Sequence, residues 1–259
     1  MKTNSNEKLT SLSSMWWFFA VVVLIQFLPP VSTANWSLDE FMALDQATTN
    51  YALVSKLNFL YLPVKLAFIL MVVVLFLIRN KARTAFSLFV GFHYLLFYTV
   101  QLIGFNHPNY GTVFNTGGFV MIGIISFAWF SEIYSKKNGY SKISFQPMHY
   151  FLIPASLFAF WLPERHGLPH LDPLLIFSSA GGLALCMMLP VYITLQSLFY
   201  PHINLFIMRV SGIFGLLFAS YNIFFTWGIN FSQAWWGGIM HLPMLFISIY
   251  ALIVGYRKH

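Results

Sequence analysis

Apolar residues in this chain come in long unbroken runs, not at the alternating or one-face spacings of a soluble fold. Eight runs stand out, over about 15–33, 51–78, 84–105, 114–134, 148–162, 172–199, 205–228 and 236–255. A hydrocarbon core about 30 Å thick is crossed by roughly 20 residues of α-helix. Most of the runs reach that length, and 148–162 is the short one. In lipid only helices and closed barrels satisfy their own backbone, and unbroken apolar runs select the helix. The expected fold class is all-α, a polytopic transmembrane helix bundle.

The polar positions between the runs set an orientation. Lys2 and Lys8 precede the first run, and Arg79, Lys81 and Arg83 separate the second from the third. Lys136, Lys137 and Lys142 separate the fourth from the fifth, and Arg257 and Lys258 follow the eighth. If every run crosses, these clusters share one side, which the positive-inside rule makes cytoplasmic. Segments 34–50, 106–113, 163–171 and 229–235 then face outward. The expected location is a plasma or inner membrane, with a cytoplasmic C-terminus.

Residues 1–34 carry two readings. A polar, basic-tipped start, an apolar stretch from Trp16 to Leu28, then Pro29-Pro30 and small residues at Ser32 and Ala34 follow the signal-peptide pattern. The same residues also read as a first transmembrane helix. Cleavage leaves seven mature helices in a single transmembrane domain, 35–259, with its N-terminus outside; retention makes eight. Short matches hint at a repeat. Leu62-Pro63-Val64 recurs as Leu189-Pro190-Val191, Arg83 as Arg209, and Gly117-Gly118 as Gly237-Gly238, each displaced by a similar length. This suggests a 3+1+3 parallel repeat with the fifth run as linker, a plan that transporters use.

Composition narrows the function classes. Of 259 residues 58% are hydrophobic and only 8% charged, against about 25% charged in soluble domains. That excludes a soluble enzyme and a nucleic-acid-binding domain. The net charge of +7 reads as membrane orientation. The lone Cys186 excludes an intrachain disulfide, and no Cys/His zinc spacing is present. The expected partners are the lipid bilayer and a small-molecule or lipid ligand; no cofactor is identified.

Polar residues inside a bilayer are functional candidates by default. Lys65 is the sharpest, sharing a helical face with Asn58 and Tyr61. His93 and Gln101 share a face of the third run with Tyr94 nearby, and Asn222 pairs with Thr226 in the seventh. The six carboxylates after Ala34 are Asp39, Glu40, Asp45, Glu132, Glu164 and Asp172. None lies mid-run, so a carboxylate proton relay has no material and Lys65 has no visible counter-ion. Glu132 and Arg209 read as helix-end charges. The candidate cavity is lined by Lys65, Asn58, His93, Tyr94, Gln101 and Asn222. His93 is also a weak haem-ligand candidate, with no mate at its depth. Glu164, His166 and His170, with Asp172, are weak metal candidates in a Gly/Pro-rich turn. The last run has no lysine for a retinal Schiff base, and no catalytic motif or dyad is present, which leans against an enzyme.

The leading expectation is a small-ligand transporter or ligand-binding membrane protein with a central cavity. Two alternatives stay open: a seven-helix sensor or receptor, and an integral-membrane enzyme acting on a lipid or isoprenoid. The transporter reading predicts that Lys65→Met abolishes flux while leaving expression intact, which a flux assay checks.

Overall fold

The computed structural model describes residues 5–257; Lys2 and Lys258 of the basic clusters lie outside them. Helices dominate. In chain order they are α1 (Ser5–Leu12), α2 (Trp16–Gln26), α3 (Phe41–Asn50), α4 (Tyr61–Ile78), α5 (Arg83–Gln101), α6 (Thr116–Ser135), α7 (His149–Trp161), α8 (Leu175–Ser178), α9 (Leu185–Ser197), α10 (Leu205–Ile223) and α11 (Phe231–Tyr256). Among the described residues, four helical stretches are long and apolar enough to cross a membrane: Asn58–Gln101, Thr116–Ser135, Leu205–Ile229 and Ala234–Tyr256. The pair Leu175–Leu183 and Leu185–Ser197, bent by 95°, passes together as a fifth. Trp16–Gln26 and His149–Trp161 are shorter apolar helices.

The first of these stretches folds back on itself. Phe68 of α4 and Tyr94 of α5 both pack on the ring of Tyr192, at 5.7 and 5.6 Å. Farther along, Phe76 packs on Phe199, which packs on Tyr140, which packs on Phe86. The two helices are therefore antiparallel legs, and the reversal lies at Arg79–Ala82, where Arg79 has a φ of 53°.

Burial follows sequence character. α10 is apolar nearly all round and is buried over most of Phe206–Gly215, as a central helix should be. α9 is buried almost throughout. α6 turns one face inward, through Met121, Ile125, Ala128, Trp129 and Glu132, at three- and four-residue spacing. α4 buries only Lys65, Phe68 and Leu75. Its remaining surface, with Leu62, Leu66, Leu70 and Leu77 exposed, faces away from the bundle.

At one end the basic loops meet, and two residues that read as helix-end charges in the sequence are buried ties. Glu132 is fully buried. It accepts hydrogen bonds from the Asn138 amide, the Asn204 side chain and Ser135 Oγ, each at 2.7 Å. Arg209 is 8% exposed. Its Nε donates to Gly255 O at 2.6 Å, and its Nη1 donates to Thr10 O. Hydrogen bonds offset the burial of both charges: Glu132 takes the Asn138 amide of the following loop, and Arg209 ties the last turn of α1 to the last turn of α11. Tyr256 OH also donates to Ser13 O, so the first described residues are fastened to the last helix.

The opposite end carries a small sheet that the helical runs do not announce. Strands β1 (Val31–Ser32), β2 (Ile103–His107) and β3 (Gly111–Phe114) are antiparallel in the order β1-β3-β2. The hairpin β4 (Glu164–Arg165) and β5 (Leu168–Pro169) lies between α7 and α8. α3 packs on β2 and β3, so segment 34–50, expected as a loop, forms a cap.

α2 docks where α6 begins. A Cβ at Gly117 would stand 2.6 Å from Ile25 O, a backbone atom that side-chain rotation cannot clear. Gly117→Ala should therefore push α2 off α6 and destabilise the protein by about 1–3 kcal/mol, in the range of other overpacking changes. Thermal unfolding of the purified variant in detergent measures it, and an unchanged midpoint would show that α2 does not dock here.

Candidate functional site

Lys65 lies in the second turn of α4, not mid-helix, because residues 53–60 form short 3-10 turns and the α-helix starts only at Tyr61. Pro63 thus sits in the first turn, where its missing N–H disrupts nothing. The Lys65 side chain is fully buried. Its Nζ donates to Phe160 O at 2.9 Å, Leu175 O at 3.0 Å and Ser179 Oγ at 2.7 Å. Phe160 O belongs to the last turn of α7, whose carbonyls lack intrahelical donors. The ammonium also sits 4.8 Å from the Phe160 ring centroid. Lys65 therefore has partners after all, but they are oxygens of the backbone and a serine, not a carboxylate. Gly182 makes the approach feasible, since a Cβ there would lie 2.7 Å from Lys65 Cγ.

The third-run residues gather at the same break. His93 is buried, with Nε2 at 2.7 Å from Gly182 O and Nδ1 bonded to Tyr192 OH. A carbonyl can only accept, so Nε2 carries the proton and Nδ1 accepts from the tyrosine. Both ring nitrogens are engaged, which leaves no lone pair for a haem iron. Tyr94 is fully buried against Tyr192. Gln101 Oε1 accepts from the Leu185 amide at 2.8 Å, satisfying the first turn of α9, whose own N-cap residue Ala184 supplies no side-chain bond.

So Lys65, His93 and Gln101 do come together, as hydrogen-bonded lining of a helix break, with Tyr94 packed on Tyr192 beside them and its hydroxyl without a partner among the described residues. Asn58 does not join them; it lies in the turn before α4 and is exposed, because the helix that would have aligned it with Lys65 has not begun. Asn222 stands apart from Lys65, near the end of α10, and donates to Phe218 O at 2.8 Å.

The polar cavity lies towards the end that carries the small sheet. A recess of about 420 Å³ is lined by Gln26, Asp45, Thr48, Gln101, Asn115, Glu164, Tyr221, Asn222 and His241. It adjoins a second hollow of about 410 Å³ that shares Gln26, Asp45, Asn115 and Tyr221. Asp45 is its centre. Oδ1 accepts from Asn115 Nδ2 at 2.7 Å, and Oδ2 accepts from Tyr221 OH. Asn115 is itself oriented, because its Oδ1 caps α6 by accepting from the Gly118 amide at 2.7 Å. Burial raises the Asp45 carboxyl above its ordinary 3.8, against the lowering effect of the two hydrogen bonds. Gln26 Oε1 is buried without a partner among the described residues. His241 donates from Nδ1 to Gly237 O at 2.6 Å, which leaves Nε2 as an acceptor. The recess thus carries the carboxyls of Asp45 and Glu164 beside neutral amides and hydroxyls, with no Lys or Arg among the described residues of its lining.

Of the sequence candidates, Gln101 and Asn222 reach this recess, and so does Glu164 from the metal set. Asp45, Gln26 and Asn115 are additions that sequence reasoning missed. In the sequence Asp45 reads as a loop acid, and no pattern says that α3 folds back over the bundle. The asparagine before Thr116-Gly-Gly is the available signal, as a helix N-cap. The weak metal set does not assemble: Glu164 opens β4, His170 follows β5, and His166 is exposed at the tip between the strands. Among the described residues no three His, Cys, Asp or Glu side chains are placed to hold a metal ion.

No family model, curated protein or solved structure matches this chain. Its site must therefore be read from its own geometry.

Lys65→Met would remove the side-chain donor from Phe160 O, while Leu175 O keeps the Ser179 amide and Ser179 Oγ keeps the Gly181 amide. A buried polar group stripped of its partner costs about 1–3 kcal/mol, so the variant should lose about that much and accumulate less than wild type, in place of the intact expression expected from the sequence. Ser179→Ala keeps both carbonyl bonds and should lose less. Detergent-solubilised yield and thermal unfolding of the two variants check the order; wild-type stability in Lys65→Met would remove the clamp.

Proposed function

We propose that this protein binds a small, cationic, hydrogen-bond-donating molecule at the outer end of a transmembrane bundle, as a ligand-binding protein or transporter. The observation that carries this reading is the recess around Asp45. Its carboxylate, the buried Gln26 Oε1, Glu164 and His241 Nε2 are all acceptors. A ligand bearing an ammonium or several N–H groups complements them; an anion would not. The cavity first expected around Lys65 moves outward, since that lysine already has its partners.

Several finer features of the proposal rest on pattern. The basic loops favour a cytoplasmic C-terminus in a plasma or inner membrane. The docking of α2 against Gly117 favours, of the two readings of residues 1–34, the retained helix and hence an eight-helix bundle. The element order supports the 3+1+3 repeat: short turns then α4, α5, α6, and α8 with a 3-10 turn then α9, α10, α11, with α7 between.

The test is binding of simple amines and quaternary ammonium ions to the purified protein by thermal shift or calorimetry. Asp45→Asn removes a charge-assisted bond of about 1.5–3 kcal/mol and should weaken binding about 10- to 100-fold. The sign with pH follows from the raised carboxyl of Asp45. Its ionised form is present above the raised value and lost as pH falls through it. Binding should therefore fail at a less acidic pH than an ordinary aspartate would allow, and Asp45→Asn should abolish that dependence. Preference for anionic ligands, or an Asp45→Asn variant that binds amines as well as wild type, would overturn the proposal.

A further inference from the structure

A second cavity, unrelated to the outer recess, separates α4 from α7 and α9. It holds about 350 Å³, and Val72, Phe76, Ile153, Leu157 and Val191 are among its walls. Of the two hydroxyls there, Ser156 Oγ is turned onto Ile153 O at 2.9 Å. Val73 and Leu157, at its rim, are 46% and 55% exposed. The cleft therefore opens sideways, on the same flank as the exposed leucines of α4, where the hydrocarbon of a bilayer would lie. From Phe68 to Phe76 it follows about 12 Å of helix, most of the depth of one leaflet of a core about 30 Å thick.

Its far end is cationic. The guanidinium of Arg79 stands 6.0 Å from the ring centroid of Phe76, which lines the cleft. Arg79 Nη1 is buried and has no hydrogen-bond partner among the described residues. The segment that crosses this end is held on both sides. The Tyr140 amide donates to Asn80 Oδ1 at 2.6 Å, and the Ser144 amide donates to Leu198 O at 2.7 Å. Between them it carries the exposed Lys142. An apolar slot open to lipid, ending at a buried arginine nitrogen that lacks an acceptor, matches one chemistry: a hydrocarbon chain attached to an anionic phosphate.

We propose that this cleft binds an anionic phospholipid of the cytoplasmic leaflet. One acyl chain lies between α4 and α7/α9, and the phosphate accepts from Arg79 with Lys142 beside it. The site is distinct from the outer recess and does not depend on what that recess binds.

The test is retention of phosphatidylglycerol against phosphatidylcholine of the same chain length by the full-length protein, read by native mass spectrometry from mild detergent. Wild type should retain phosphatidylglycerol preferentially. A basic residue near an anionic surface contributes about 1 kcal/mol, so Arg79→Gln should lower that preference about fivefold. Ile153→Trp, which fills the cleft, should reduce retention of both lipids. Arg257→Gln, basic but remote from the cleft lining, should leave the preference unchanged. If Arg79→Gln fails to fold, Lys142→Gln with Arg79→Lys carries the same comparison. An unchanged preference in the Arg79 variant would overturn the proposal. So would wild-type retention in Ile153→Trp, since the lipid would then sit only on a basic surface. Displacement of the lipid by inorganic phosphate at equal concentration would mark a free-anion site and also overturn it.

Discussion

A break in a helix within a bilayer frees backbone groups that water cannot reach, and each needs a partner from the protein itself. Here the break lies between α8 and α9, where the chain bends by 95°. Lys65 answers it with three donors to Phe160 O, Leu175 O and Ser179 Oγ. A cation at the end of α7 also meets the negative end of that helix's dipole. His93 takes Gly182 O, and Gln101 takes the Leu185 amide. His93 and Gln101 thus replace hydrogen bonds that a continuous span would have made for itself, and Lys65 ties the end of α7 to the segment before the break.

Two hollows follow from this arrangement. Because the break is closed by α4 and α5, the space beyond it is roofed by α3 and walled by α6 and α10, and Asp45 is drawn in to meet Tyr221 and Asn115. The carboxylate would be too costly to bury without those donors. On the exposed flank, α4 is held at its N-terminal end by Lys65 and at its C-terminal end by Phe76 against Phe199. It makes little contact with α7 or α9 between those points, and the apolar cleft is the gap that remains.

The two sites differ in what they ask of an occupant. The outer recess presents acceptors and lacks a cation among the described residues of its lining, so it selects a donor. The inner cleft presents hydrocarbon and an arginine nitrogen, so it selects an amphiphile of opposite charge. Neither uses Lys65, although that residue is what keeps α4 in place for both.

Much of the fold is legible in the sequence, for a simple reason. Membrane helices must be apolar over their whole length, so runs such as 114–134 and 205–228 reappear closely as α6 and as α10 with its π-helical extension, Phe224–Ile229. Hydropathy cannot report where a run breaks, because a helix and a 3-10 turn bury the same side chains. That is why 51–78 and 172–199 read as continuous, and why Asn58 falls in line with Lys65 on an ideal helix. The site is less legible still. Lys65 stands out as costly, which a charge in lipid always is, but its partners are main-chain oxygens, and every residue carries those. Asp45 lies in a segment of ordinary polar composition, and only the packing of α3 over the bundle turns it into a half-buried carboxyl. The sequence by itself determined which segments enter the membrane, since that depends on each residue's own transfer energy. Tertiary structure alone decided which polar groups find one another, since that depends on distances between segments far apart in the chain.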